Sequence, residues 1–134
     1  ITLTVPFYDC DAMGIVWHGN YIKYLEDARC ALLDKIGYNY RAMHQDGYMW
    51  PIATVKTKYI KSCTFGQQIA IKATLEEYEN RIKVKYLITD SQTGDILLKG
   101  ETVQMAVNIE TMESCFSSPK KLIEQVDAYM ESIK

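Results

Sequence analysis

Between Tyr8 and Tyr21 the chain gathers two carboxylates, a histidine and two glycines into a short, non-repetitive stretch: Tyr8-Asp9-Cys10-Asp11-Ala12-Met13-Gly14-Ile15-Val16-Trp17-His18-Gly19-Asn20-Tyr21. A helical pattern begins directly afterwards, at Asn20. The first N–H groups of a helix are unpaired and carry partial positive charge. An oxygen that turns negative during a reaction can be held there, beside an acid that acts as base or nucleophile. The stretch therefore predicts carboxylate chemistry next to a helix start.

Each residue also has a plainer role open to it. Asp9 and Asp11 are types that favour turns and helix approaches in any loop. The Asp-x-Asp pair also opens the haloacid-dehalogenase phosphatase motif, but the following residues and the chain length do not fit it. Asp9, Asp11 and His18 as metal ligands lack a second cluster to complete the set. Cys10 sits between two carboxylates, which raise a thiol pKa rather than activate it. His18 suits a proton donor, a hydrogen-bonder to substrate or a structural bridge. Trp17 and Tyr21 read as wall and core. Glu26 falls at the edge of the helix stripe, within reach of the site or on the surface. Arg81 and Lys83, after a sheet turn, are candidate phosphate contacts, with a solvent-facing role favoured for Lys83. His44 reads as exposed. Tyr48, Met49, Trp50 and Tyr59 are candidates for an acyl pocket or for core.

The elements that must position this stretch follow from periodicity. Thr2 to Tyr8 reads as a strand with Pro6 at an edge or end. Asn20 is placed to cap a helix whose apolar stripe is Tyr21, Leu25, Ala28, Leu32 and Ile36, ending at Gly37. Arg41 to Asp46 reads as a further short turn. After Pro51 the period becomes twofold: Ile52–Ile60, then Ile69 to Leu75, Ile82 to Ile88, and one long strand from Leu97 to Asn108. Turns at Glu79-Asn80 and Asp90 to Asp95 separate them. Consecutive strands with short turns give an antiparallel sheet, and the long helix is the available cover. Ser118-Pro119 marks the start of a last helix with a stripe of Leu122, Val126, Tyr129 and Ile133. The order is α+β, read as one domain over residues 1–134.

Composition narrows the class. The 134 residues carry a net charge of −2 without a block of like charges, which disfavours a nucleic-acid surface. No apolar run approaches the ~20 residues of a membrane helix. Ile1 to Val5 lacks the basic start and longer apolar segment of a signal peptide. The chain opens on Ile1 and not on methionine, so a segment ahead of it is to be allowed for. Cys10, Cys30, Cys63 and Cys115 match no zinc spacing and read as free thiols in a reducing cytoplasm.

Tyr8-Asp9-x-Asp11-x-x-Gly14-x-Val16-x-His18-x-x-Tyr21, continuing into Tyr24-x-Glu26-x-x-Arg29, resembles the 4-hydroxybenzoyl-CoA thioesterase branch of the hotdog fold. That branch includes the short acyl-CoA thioesterases encoded beside the bacterial Tol–Pal system. The resemblance extends over nearly the whole chain, and Phe116-Ser117-Ser118-Pro119 resembles the family's ending. It implies an antiparallel sheet wrapped around one long helix, with sites shared between two chains of a dimer or tetramer. It implies Asp11 as the catalytic aspartate, attacking the thioester carbonyl or activating a water. By the same resemblance, N–H groups around His18 and Gly19 polarise the carbonyl, and His18 sits near the thioester. Trp17, Tyr21, Glu26, Tyr59 and Arg81 are the candidate substrate contacts, Arg81 for coenzyme A phosphates. A positioned carboxylate and a helix-end oxyanion site call for no metal or cofactor. The expected activity is hydrolysis of acyl-CoA to acid and coenzyme A in the cytoplasm. An acyl-carrier-protein thioesterase and a non-catalytic acyl-binding protein are the alternatives.

Overall fold

The computed structural model describes residues 1–133. Its main sheet has five strands in the order β1-β4-β5-β6-β3, all neighbours antiparallel. In chain order these are β1 (Thr2–Thr4), β3 (Ile52–Tyr59), β4 (Gln68–Glu77), β5 (Ile82–Asp90) and β6 (Ile96–Gln104). Helix α1 (Asn20–Ile36) lies on one face of this sheet, against β4. Twofold alternation sends Ile69 and Ile71 of β4, with Val84, Tyr86 and Ile88 of β5, into the core beneath it. The helix returns Tyr21, Tyr24, Leu25, Ala28, Leu33 and Ile36. Burying each such large side chain contributes about 1.5–3 kcal/mol, so this seam dominates the fold. Gly37 ends α1 in the left-handed conformation, donating its N–H to the Leu33 and Asp34 carbonyls.

A short α2 (Tyr40–Gln45) follows, capped by the Asn39 side chain, which accepts from the Ala42 N–H at 3.0 Å. The last helix, α3 (Lys120–Ser132), packs on α1 through Leu122 and Val126, while Ile133 is exposed. The hotdog arrangement expected from the sequence is thus the one observed.

Four local expectations change. The first strand stops at Thr4, and Pro6 leads into a 3-10 turn over Phe7–Asp9, because proline has no N–H for the ladder. The long last strand breaks after Gln104, and β7 (Val107–Asn108) pairs instead with β2 (Tyr48–Met49) in a separate two-stranded sheet. Asn20 does not cap α1: Gly19 holds the cap position, and the Asn20 side chain donates to the Asp9 carbonyl at 2.9 Å. Ser118 does not cap α3 either; Pro119 holds that place and the Ser118 hydroxyl is buried without a partner among the described residues.

Candidate active site

The stretch after β1 is built around Asp9. Its carbonyl accepts from the Trp17 N–H at 3.1 Å and from Asn20 Nδ2 at 2.9 Å. Its buried carboxylate accepts from Lys23 Nζ at 2.5 Å and from the Tyr24 hydroxyl at 2.6 Å. Burial acts to raise the Asp9 pKa, but the hydrogen bonds and charge of Lys23 and Tyr24 outweigh it, and the carboxyl sits below its usual value. Asp9 therefore fastens the loop to α1, and it is spoken for.

Asp11 differs. It heads a small hairpin in which its N–H donates to the Ile15 carbonyl at 2.9 Å and Gly14 N–H returns to its own carbonyl at 3.0 Å. Its Oδ1 accepts from the Met13 N–H at 2.8 Å, which fixes the carboxylate's direction. The other oxygen has no partner among the described residues. The hairpin is tied to the chain beyond β3 by an Ile15–Thr64 bridge and by the Val16 N–H donating to the Cys63 carbonyl at 2.8 Å.

That tie creates a cleft of about 360 Å³. Asp11, Trp17, His18, Tyr21 and Tyr59 all line it, with Met13, Lys61 and Ser62 among the rest of its walls. Tyr21 accepts from the Cys63 N–H at 2.9 Å, and burial pushes its hydroxyl up to about 12, so it stays protonated and free to donate its own hydrogen. Tyr59 packs edge-on against the Tyr21 ring, centroids 5.2 Å apart.

The start of α1 borders this space. Asn20 N–H donates to the Trp17 carbonyl at 2.9 Å, whereas the amides of His18 and Gly19 have no acceptor among the described residues. They are the unpaired donors that a helix start supplies. Trp17 folds its indole over Gly19 so closely that a Cβ there would lie 2.3 Å from the ring. Glycine at this position is what lets the indole wall the cleft, and the Trp17 and His18 rings lie 5.0 Å apart beside it.

Other candidates lie elsewhere. Glu26 is exposed on α1 and outside the cleft. Arg81 pairs with Glu77 at 2.9 Å in the β4–β5 turn. Tyr59 aligns with Leu98, and Leu98 with Ile88, which puts Arg81 roughly 20 Å farther along the sheet at ~3.3 Å per residue. Lys83 pairs with Glu76 and Glu101. Trp50 is core, edge-on to Tyr38, and Tyr48 and Met49 form β2, away from the cleft. Asp9, Asp11 and His18 do not converge as ligands: among the described residues no three His, Cys, Asp or Glu side chains are grouped to hold a metal. The sequence reading missed Lys61 and Ser62. Lys61 lies 3.3 Å from Asp95, and its approach to the loop depends on pairing across nearly fifty residues.

A profile of the thioesterase-like superfamily matches residues 5–126. YneP of Bacillus subtilis, named provisionally as an acyl-CoA thioesterase, is 25% identical over 111 residues, 83% of this chain and 80% of that one. The acyl-CoA thioesterase YbgC of Helicobacter pylori is 30% identical over 73 residues, 54% of this chain and 53% of its own. Among solved structures, the DHNA-CoA thioesterase of Staphylococcus aureus superposes with a TM-score of 0.82 at 24% identity, covering 100% of this chain and 93% of that one.

Proposed function

The chain belongs to the thioesterase-like superfamily and is a thioester hydrolase, and from that premise we propose that it cleaves acyl-CoA with Asp11 at the reacting carbon. Water and the thioester give a carboxylic acid and the free coenzyme A thiol. Asp11 supplies the negative oxygen that attacks the carbonyl or takes the proton of the water that does. The amides of His18 and Gly19 stabilise the oxyanion at the helix start, where preorganised donors lower the barrier most. A thioester carbonyl is weakly resonance-stabilised, so one carboxylate and two N–H donors meet the demand. The observation that carries this reading is the shared cleft: Asp11, Trp17, His18, Tyr21 and Tyr59 line one space beside α1. Asp9, the other acid of the motif, is excluded because Lys23 and Tyr24 already hold it. We assign no substrate contact to Glu26 or Arg81 within the chain.

The working form in this proposal is a homodimer joined along β3. This strand is one edge of the sheet, exposed over nearly its whole length, and Ile52, Val55 and Tyr59 are 40–49% exposed. An edge of this length with apolar side chains is a template for a second strand. Four free cysteines support a cytoplasmic setting. Among the described residues no helix is long and apolar enough to cross a membrane.

Asp11→Asn tests the assignment, because asparagine keeps the acceptor for the Met13 N–H and loses the base. Turnover of short, long and aromatic acyl-CoA esters should fall ~1000-fold with an unchanged melting temperature. Full activity in that variant overturns the role of Asp11.

A further inference from the structure

The sheet face turned away from α1 concentrates positive charge that the chain as a whole does not have. Fifteen Lys and Arg are set against seventeen Asp and Glu, yet Lys56, Lys58, Lys72, Lys85 and Lys99 are all exposed around one shallow depression of about 550 Å³. Register aligns Lys72, Leu87, Lys99 and Lys58 in a single row across β4, β5, β6 and β3. A second row holds Thr74, Lys85, Glu101 and Lys56. Lys56 lies 3.6 Å from Glu101 and Lys85 lies 3.3 Å from Glu76. Among the described residues, Lys58, Lys72 and Lys99 have no acidic partner within 4.0 Å. Lys58 and Lys99 stand directly opposite each other, an arrangement that destabilises a sheet unless an anion lies over it.

We propose that this face docks an acidic protein helix. Strands are spaced ~4.8 Å apart, so Lys99 and Lys72 lie ~5 and ~14 Å from Lys58 along the row, with Leu87 at ~10 Å. On a helix rising ~1.5 Å per residue, carboxylates at positions i, i+3 and i+10 fall at about 0, 4.5 and 15 Å on one face, and position i+7 falls at ~10 Å. Three acids thus meet the three uncompensated lysines, and an apolar side chain at i+7 meets Leu87. The lysines rise side by side from separate strands, which suits distributed carboxylates better than one convergent phosphate. A lipid surface is disfavoured because the most exposed apolar side chains, Phe7, Tyr8, Met13 and Phe116, lie outside this depression. The proposal is independent of the hydrolase reading, since none of these lysines lines the Asp11 cleft.

The test uses a labelled synthetic helix with Glu at i, i+3 and i+10 and Leu at i+7, and a second peptide of the same composition with those residues spread around the helix. Fluorescence anisotropy with the full chain should show saturable, salt-sensitive binding of the first peptide, ~10-fold tighter than the second. Lys72→Glu/Lys99→Glu should weaken it by ~10-fold or more, while Lys120→Glu/Lys121→Glu, with the same change in charge, stays within about twofold. Acyl-CoA turnover of both double variants should match the parent, and neither should melt earlier. If the charge reversals unfold the sheet, Lys72→Gln/Lys99→Gln carries the test. Equal binding of both peptides, equal loss in both double variants, or no saturable binding overturns the proposal. So does tighter binding of phosphatidylglycerol vesicles or duplex DNA.

Discussion

The Tyr59 hydroxyl donates to the carbonyl of His18 at 3.1 Å, joining the end of β3 to the peptide that opens α1. In a trans peptide the carbonyl and the following N–H point in opposite directions. Holding the His18 carbonyl therefore fixes where the Gly19 N–H points, on the other edge of the same plane. Tyr59 acts on the proposed oxyanion site through that peptide. Tyr59→Phe keeps the ring against Tyr21 and removes the hydroxyl. One neutral hydrogen bond is worth about 0.5–1.5 kcal/mol, so kcat should fall roughly 2–10-fold with little change in KM. Steady-state kinetics on one acyl-CoA decides it, and an unchanged kcat removes Tyr59 from this role.

Asp9 should behave as a stability residue. Asp9→Ala strands the buried Tyr24 hydroxyl and releases half-exposed Lys23, at a cost of about 2–3 kcal/mol, mostly from Tyr24. Its folded pKa lies below the unfolded value, so its contribution is complete above the unfolded pKa of ~3.9 and is lost as pH falls through the folded pKa. The stability gap between the parent and Asp9→Asn should then be constant from pH 7 to about pH 5 and close at lower pH. Urea midpoints across that range measure it. A gap that persists unchanged to about pH 2 would mean that the Asp9 charge contributes nothing.

What was legible in the sequence was what local pattern determines. The α1 stripe and its Gly37 end could be read because helical spacing and a left-handed terminus leave marks within a few residues. The motif from Tyr8 to Tyr21 marked a stretch that lines the cleft, and the family resemblance chose Asp11 within it, but spacing alone gave no physical reason for that choice. Asp9 and Asp11 are the same residue type two apart; what separates them is Lys23 and Tyr24, a turn into the helix, closing on one and not the other. The break between β6 and β7 was hidden because apolar alternation runs on through it, and the pairing of β7 with β2 spans nearly sixty residues. Arg29, outside the apolar stripe, is nevertheless buried with its Nε donating to the Tyr40 hydroxyl at 2.9 Å, a contact set by where α2 folds back. Beyond Tyr59, which was already a candidate, the far wall of the cleft from Ile60 to Ser62 comes up to the loop through long-range pairing that no local signal carries.

The β3 edge makes the last expectation. Val55 is 41% exposed in the middle of this strand, beside a row of backbone groups facing no neighbour in the chain. If two copies pair antiparallel there, a twofold axis brings the two Val55 positions close together, and Val55→Asp sets two carboxylates against each other in the seam. Like charges so placed cost several kcal/mol across an interface, enough to weaken dimerisation ~100-fold or more. Sedimentation at micromolar concentration should show the parent chain as a dimer or larger and Val55→Asp as a monomer, with normal circular dichroism in both. Turnover should fall in step with dissociation if the neighbouring chain helps to close the cleft at Tyr59, and dilution of the parent should reproduce that loss. A parent chain that sediments as a monomer while fully active would place the whole reaction within one copy, and β3 would then be an edge protected only by Lys56 and Lys58.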